Sequence, residues 1–259
     1  MSEHIDPHTD LGEEFPANEV EVHDDRDQVA DAAAARFVEV LVAAQAANGS
    51  ASVVLTGGSD GIRLLERVRK DSGDLDWSRL DVFWGDERFV PADSPDRNEG
   101  QAREALLDHV PLDPARVFPM APSDGPYATP EEAAAAYSEI VHRHLAEHGS
   151  FDLQFLGMGP EGHMNSLFPH TDHVREQTEY VVAVRDCPKP PPTRVSGTLP
   201  LVHRARHVVL VVTGEGKAAA VAAALNGASP DDVPAAGATG SESTTWIVDD
   251  GAAADLLDD

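Results

Sequence analysis

The stretch from Phe151 to Pro169 constrains this chain more than any other. An apolar run, Phe151 to Leu156, leads into Gly157-Met158-Gly159-Pro160-Glu161-Gly162-His163. Three glycines in six positions turn the chain sharply and deliver a histidine just before a short apolar segment. The pattern predicts a buried strand, a tight turn and the start of a helix near Asn165. In an α/β protein that corner is where reactive groups collect.

The same unit recurs along the chain. Ser52 to Thr56 reads as a buried strand that runs into Gly57-Gly58-Ser59-Asp60-Gly61 and a helix through about Lys70. Leu80 to Trp84 is the next strand; it ends in a loop at Gly85-Asp86-Glu87-Arg88, with a helix from about Glu99 to His109. Val29, Ala33, Phe37, Val40 and Leu41 recur at helical spacing, and Asn48-Gly49 ends that helix. Thr129 and Pro130 open another helix, to about His148. Further strands are predicted at Val20 to Val22, Val117-Phe118, Tyr180 to Val184, His207 to Thr213 and Thr245 to Val248. The strands are continuous apolar runs rather than alternating ones, so both faces of the sheet are expected to be covered. The fold class that follows is α/β: one doubly wound domain over residues 19–259, with a mostly parallel sheet, helices on both faces and a small antiparallel addition. Residues 1–18, polar and acidic with Pro7, Gly12 and Pro16, are expected to be a disordered tail.

Composition narrows the function. There are 46 acidic against 19 basic residues, a net charge of -27. A field of that sign opposes nucleic acids and anionic membranes, so neither is expected as a partner. No window approaches the ~18 uninterrupted apolar residues of a membrane span. The N-terminus lacks the basic flank and apolar core of a signal peptide, so a cytoplasmic protein is expected. The single cysteine, Cys187, excludes an intrachain disulfide and a Cys-based metal cluster. No HExxH or similar ligand spacing stands out, so neither a metal nor a cofactor is expected. A monomer or weak homo-oligomer is expected.

Four loops can carry chemistry, and each follows a predicted strand. Strand C-termini share one edge of an open parallel sheet, so the loops can converge. Gly57-Gly58-Ser59 at a helix N-terminus can cradle an anion with backbone N–H groups; the plainer reading is a tight turn with Asp60 as helix cap. It is neither a P-loop nor a dinucleotide fingerprint. Arg88 can meet a phosphate or carboxylate with its planar fork, held by Asp86 or Glu87; a surface salt-bridge cluster is the alternative. His163 can take a proton from water near neutral pH, or simply cap a helix. Glu161 beside it can be a second acid-base group, but is expected to face solvent. Lys189 and Arg194 flank a rigid proline run that can present charge, or are ordinary surface cations. Cradle, cations and one histidine together suggest hydrolysis or isomerisation of a phosphorylated small molecule.

Taken in order, these segments resemble the 6-phosphogluconolactonase family. The resemblance is carried by Leu55-Thr56-Gly57-Gly58-Ser59, by Phe83-Trp84-Gly85-Asp86-Glu87-Arg88-Phe89-Val90, by Gly157 to His163 with Ser166-Leu167-Phe168-Pro169, and by Lys189-Pro190-Pro191-Pro192 through Arg194. Val208 to Lys217 and Trp246 to Asp249 also look like the family's closing segments. The resemblance implies a Rossmann-like α/β fold shared with glucosamine-6-phosphate deaminase and ribose-5-phosphate isomerase. It implies hydrolysis of 6-phospho-D-glucono-1,5-lactone to 6-phospho-D-gluconate, the second step of the oxidative pentose phosphate pathway, without a metal or cofactor. By carry-over His163 is the general base. Arg88, Lys189 and Arg194 are the candidate cations for the phosphate and the developing negative charge. Gly57, Gly58 and Ser59 supply donors, and Asp86 completes the expected substrate-binding set. The deaminases continue Phe-Asn-Glu-Pro where this chain has Ser166-Leu167-Phe168-Pro169. Three places depart from the pattern: Asp60-Gly61, Met164-Asn165 and Ser196-Gly197. A carboxylate at Asp60 is unfavourable beside a phosphate unless it turns inward to cap the helix.

Overall fold

The computed structural model describes residues 15–256. The strands among them are β1 (Asn18–His23), β2 (Ala51–Leu55), β3 (Leu80–Trp84), β4 (Asp86–Arg88), β5 (Phe151–Gly157), β6 (Val181–Val184), β7 (Arg194–Gly197), β8 (Ala205–Val212) and β9 (Ser243–Asp249). Helices α1 (Arg26–Asn48), α2 (Gly58–Lys70), α3 (Asn98–Ala105), α4 (Pro130–His148), α5 (Leu199–Val202) and α6 (Ala218–Leu225) connect them. Six strands form one parallel sheet in the order β1-β9-β8-β5-β2-β3; the others form a three-stranded antiparallel sheet, β4-β7-β6. No helix among the described residues is long and apolar enough to cross a membrane.

The continuous apolar runs have the cause expected of them. Successive strand side chains point to opposite faces. Val53 and Leu55 of β2 enter one core with Phe37 and Leu41 of α1, Leu64 and Leu65 of α2, and Phe155 of β5. Val54, between them, enters the other core with Tyr137 and Val141 of α4, Val221 of α6, Leu156 and Trp246. Each fully buried side chain of this size contributes about 1.5–3 kcal/mol relative to exposure. Helix ends follow local chemistry. Asp25 accepts from the N–H groups of Asp27 and Gln28 at 2.8 and 2.9 Å, and Gly49, at φ 84°, closes α1.

Four expectations change. Gly85 to Arg88 is not a loop: after Gly85 the chain becomes β4, which pairs with β7 so that Asp86 faces Ser196 and Arg88 faces Arg194. No helix begins near Asn165. Asn165 adopts φ 48°, and Met164 bridges to Leu167 across a tight turn whose apolar residues are fully buried. Tertiary packing buries that apolar segment, with no helical face required. Val117 makes only a single bridge to Val82 instead of a strand. The fold also starts before residue 19: Asn18 pairs with Thr244, and the Phe15 ring lies 4.9 Å from that of His203. Residues 1–14 of the expected tail lie outside the described residues.

The strand order contains one reversal that matters. From β2 the chain moves outward to β3, then returns to place β5 on the other side of β2. Loops leaving β2 and β5 therefore diverge at the sheet's C-terminal edge and leave a crevice, the switch point of an open α/β sheet.

Candidate active site

A cavity of about 290 Å³ opens in that crevice. Gly57, Gly58, Ser59, Asp86, Arg88, His163, Lys189 and Arg194 all line it. Lys189 and Arg194 reach it by a route different from the one expected. They do not follow a strand of the main sheet; the small antiparallel sheet swings them in through the β4–β7 pairing.

His163 is held on both faces. The turn closes on itself, with Gly159 N–H donating to His163 O at 3.0 Å and Gly162 N–H donating to Gly159 O at 2.9 Å. A β-carbon at Gly159 would overlap Cε1 and Nδ1 of His163 and sit 2.6 Å from a Glu161 oxygen. The missing side chain is what lets the imidazole lie against the backbone. Phe168 stacks on the ring at 4.4 Å and 16°. Phe168 belongs to the Ser166-Leu167-Phe168-Pro169 segment that follows the histidine.

Glu161 does not face solvent as expected. Its Oε1 lies 3.1 Å from His163 Nδ1 and 2.8 Å from Lys189 Nζ, and Lys189 Nζ is 3.4 Å from the same Nδ1. A carboxylate opposite Nδ1 makes that nitrogen the N–H, which leaves the lone pair on Nε2. Burial holds His163 below the ordinary imidazole value, helped by the charge of Lys189 and opposed by Glu161. The ring is therefore neutral at neutral pH. Burial also opposes the charge on Glu161, yet the hydrogen bond from Lys189 and the attraction of His163 hold its carboxyl below the ordinary range.

The other end of the cavity is the N-terminus of α2. Gly57 is its N-cap residue, and among the described residues no side chain caps the helix. Asp60 does turn inward, but not to cap it. Its Oδ1 accepts from Arg26 Nε and Thr213 Oγ1, both at 2.8 Å, and its Oδ2 lies 3.4 Å from Lys217 Nζ. One carboxylate thus meets two cations, so this corner carries a net positive charge in addition to the helix dipole. Arg26 also donates to Ser59 Oγ. Gly57 meets a different constraint: a β-carbon there would overlap the side-chain amide of Asn98.

Asp86, Glu87 and Arg194 organise the middle. Neither acid pairs with the Arg88 guanidinium, whose Nη1 donates to the Asp96 carbonyl; Glu87 accepts the Arg88 backbone N–H at 2.8 Å. Glu87, 1 % exposed, also accepts from the N–H groups of Asn98 and Glu99 at 2.7 and 2.9 Å and so caps α3. Burial raises its carboxyl, a push that nearby Arg97 and these N–H donors oppose. Asp86 accepts from Ser166 Oγ at 2.7 Å and Asn98 Nδ2 at 3.1 Å. Arg194 is buried, and its N–H groups go to the carbonyls of Pro191 at 2.6 Å, Lys189 at 3.1 Å and Pro190 at 3.3 Å. Its guanidinium ties down the proline loop that carries Lys189.

Sequence reasoning missed Lys217, Arg26, Asn98 and the working contact of Glu161. Only Lys217 left a usable signal. The chain has three lysines, Lys70, Lys189 and Lys217, and two of the three line this cavity against a strongly acidic background.

Comparison with known proteins gives concordant results. The family model for glucosamine-6-phosphate isomerases/6-phosphogluconolactonase matches residues 24–246. A 6-phosphogluconolactonase of Mycobacterium tuberculosis is 49% identical over 244 residues, 93% of this chain and 99% of that protein. One from Streptomyces coelicolor is 51% identical over 246 residues, 91% of this chain and 93% of that protein. Among solved structures, the 6-phosphogluconolactonase of Trypanosoma brucei superposes with a TM-score of 0.77 at 26% identity, covering 94% of this chain and all of that one.

Proposed function

The chain belongs to the glucosamine-6-phosphate isomerase/6-phosphogluconolactonase family, and from that premise we propose that it hydrolyses 6-phospho-D-glucono-1,5-lactone to 6-phospho-D-gluconate, with His163 as general base. The observation that carries the reading is the Glu161–His163–Lys189 cluster at one end of a cleft whose other end is an uncapped, cation-flanked helix N-terminus. One end suits a reacting carbonyl and the other a phosphate.

The chemistry follows from the groups. Neutral His163 takes a proton from water through Nε2 as the water attacks the lactone carbonyl. The imidazolium that forms is stabilised by Glu161 across 3.1 Å. Charge builds on the carbonyl oxygen only in the transition state, and Lys189, partly exposed beside His163, is the cation assigned to it. Collapse of the tetrahedral intermediate breaks the bond to the ring oxygen, which takes the proton back from His163. The phosphate is assigned to the α2 N-terminus, Ser59, Arg88 and Lys217, and its binding energy orients the ring. Arg194 acts through the loop carbonyls it binds. A cytoplasmic location and a monomer or weak homo-oligomer fit this reading.

The test is a coupled assay on freshly made lactone, corrected for spontaneous opening, with wild type and His163→Ala. Wild type accelerates opening, and the variant loses about 10²–10⁴-fold in rate while keeping its circular dichroism. Near wild-type turnover by His163→Ala removes that residue from the mechanism. Failure of wild type to open the lactone, with turnover of glucosamine 6-phosphate, would move the chain to the deaminase branch.

A further inference from the structure

At the opposite end of the sheet, three side chains that the proposed reaction leaves unused face one another. His144 and His148 lie one helical turn apart on α4, so both rings fall on one face. Asp81, near the start of β3, meets them from the sheet. One ligand atom from each of Asp81, His144 and His148 lies within 4.8 Å of the others. The three border a cavity of about 300 Å³, which Glu147 and Asp152 also line.

His144 is the distinctive member. It is 8 % exposed, stacks on Phe151 at 4.6 Å, and its Nε2 has no hydrogen-bond partner among the described residues. A buried polar atom without a partner calls for a ligand or a water. A neutral imidazole carries a lone pair on one ring nitrogen, the donor a metal takes. Asp81 is also buried, and its Oδ1 accepts from Arg116 Nη1 at 2.9 Å. The second carboxylate oxygen has no such partner among the described residues. His148, about one-third exposed, gives an entry path from solvent. It is also the last residue of α4, where the helix dipole favours a cation.

We propose that Asp81, His144 and His148 form a binding site for a divalent metal of the zinc class, with water or Glu147 as fourth ligand. Two imidazole nitrogens and one carboxylate oxygen are donors that zinc takes readily in four-coordinate sites. Bound there, the metal joins the end of α4 to the start of β3, away from the catalytic cleft. A second His–Asp group, His170 with Asp231 and Asp232, is a poorer candidate. It is largely exposed, and Arg175 occupies both oxygens of Asp231, at 2.8 and 3.0 Å, whereas Arg116 takes only one oxygen of Asp81.

The test titrates Zn²⁺ calorimetrically into the metal-free full chain, with Co²⁺ absorption reporting the ligand shell. Wild type binds one ion at this site, and His170→Ala retains it. His148→Ala alters an exposed residue and so preserves the fold; it weakens the site at least about tenfold, as does Asp81→Asn, since even outer-shell changes cost that much. Lactone hydrolysis by His148→Ala stays at the wild-type level, which separates this site from the catalytic reading. Unchanged Zn²⁺ affinity in His148→Ala, loss of the ion in His170→Ala, or no binding by wild type each overturns the proposal.

Discussion

Glu161→Gln isolates the electrostatic role assigned to the acid beside His163. The substitution keeps shape and removes one charge 3.1 Å from Nδ1. At an effective dielectric of ~20, that contact is worth about 5 kcal/mol as an upper bound. Glu161 keeps a third of its side chain in water and shares its charge with Lys189. Discounting for both leaves roughly 1.5 kcal/mol, or about one pKa unit on the imidazole. The sign follows from which protonation state the carboxylate favours. Glu161 stabilises the imidazolium and so opposes the burial that lowers His163. Removing its charge lowers His163 further, and the unpaired ammonium of Lys189 pushes the same way. The acidic limb of kcat/KM, already below the ordinary histidine value, should therefore move about one pH unit lower. The plateau should also fall, because a glutamine amide can donate to Nδ1 and force the proton onto Nε2, the wrong tautomer for a base. That loss is about 10–10⁴-fold, from reduced basicity alone up to a full tautomer switch. The assay is the pH profile of lactone opening between about pH 5 and 8, where the substrate's own hydrolysis can be subtracted and a histidine limb falls. An unmoved limb with an unchanged plateau would show that Glu161 does not tune the base.

The remaining expectations follow from other contacts. Gly159→Ala places a methyl into the imidazole and should cut turnover about 10²-fold or more with the melting temperature little changed, because one misplaced catalytic group costs that much; retained activity would mean the ring does not need that position. Lys217→Ala should raise KM for the phosphorylated lactone more than for unphosphorylated gluconolactone, and equal losses for the two would contradict a phosphate role. Tyr137→Phe removes a hydroxyl that accepts from Trp84 N–H at 2.9 Å and donates to Trp84 O at 3.2 Å; it should cost about 1–3 kcal/mol in urea unfolding, with the slope unchanged.

What the sequence alone determined is what short-range chemistry controls. Apolar runs set the strands, capping residues such as Asp25 and Gly49 set helix limits, and the alternation of elements set a parallel sheet. The glycine corners and His163 could be singled out because each loop follows its strand directly. Family resemblance supplied the reaction, which residue types alone had left as either hydrolysis or isomerisation. Tertiary structure decided every partnership between residues distant in the chain. Glu161 looks like a solvent-facing acid until the proline loop, anchored by Arg194, brings Lys189 onto it. Asp60 looks like a cap or a liability until Arg26 from α1 and Lys217 beyond β8 enclose it. Asp81, His144 and His148 carry no local signal beyond the spacing of the histidines, since the aspartate comes from a strand. A charged side chain's role depends on which opposite charges share its low-dielectric neighbourhood, and the sheet order sets that neighbourhood.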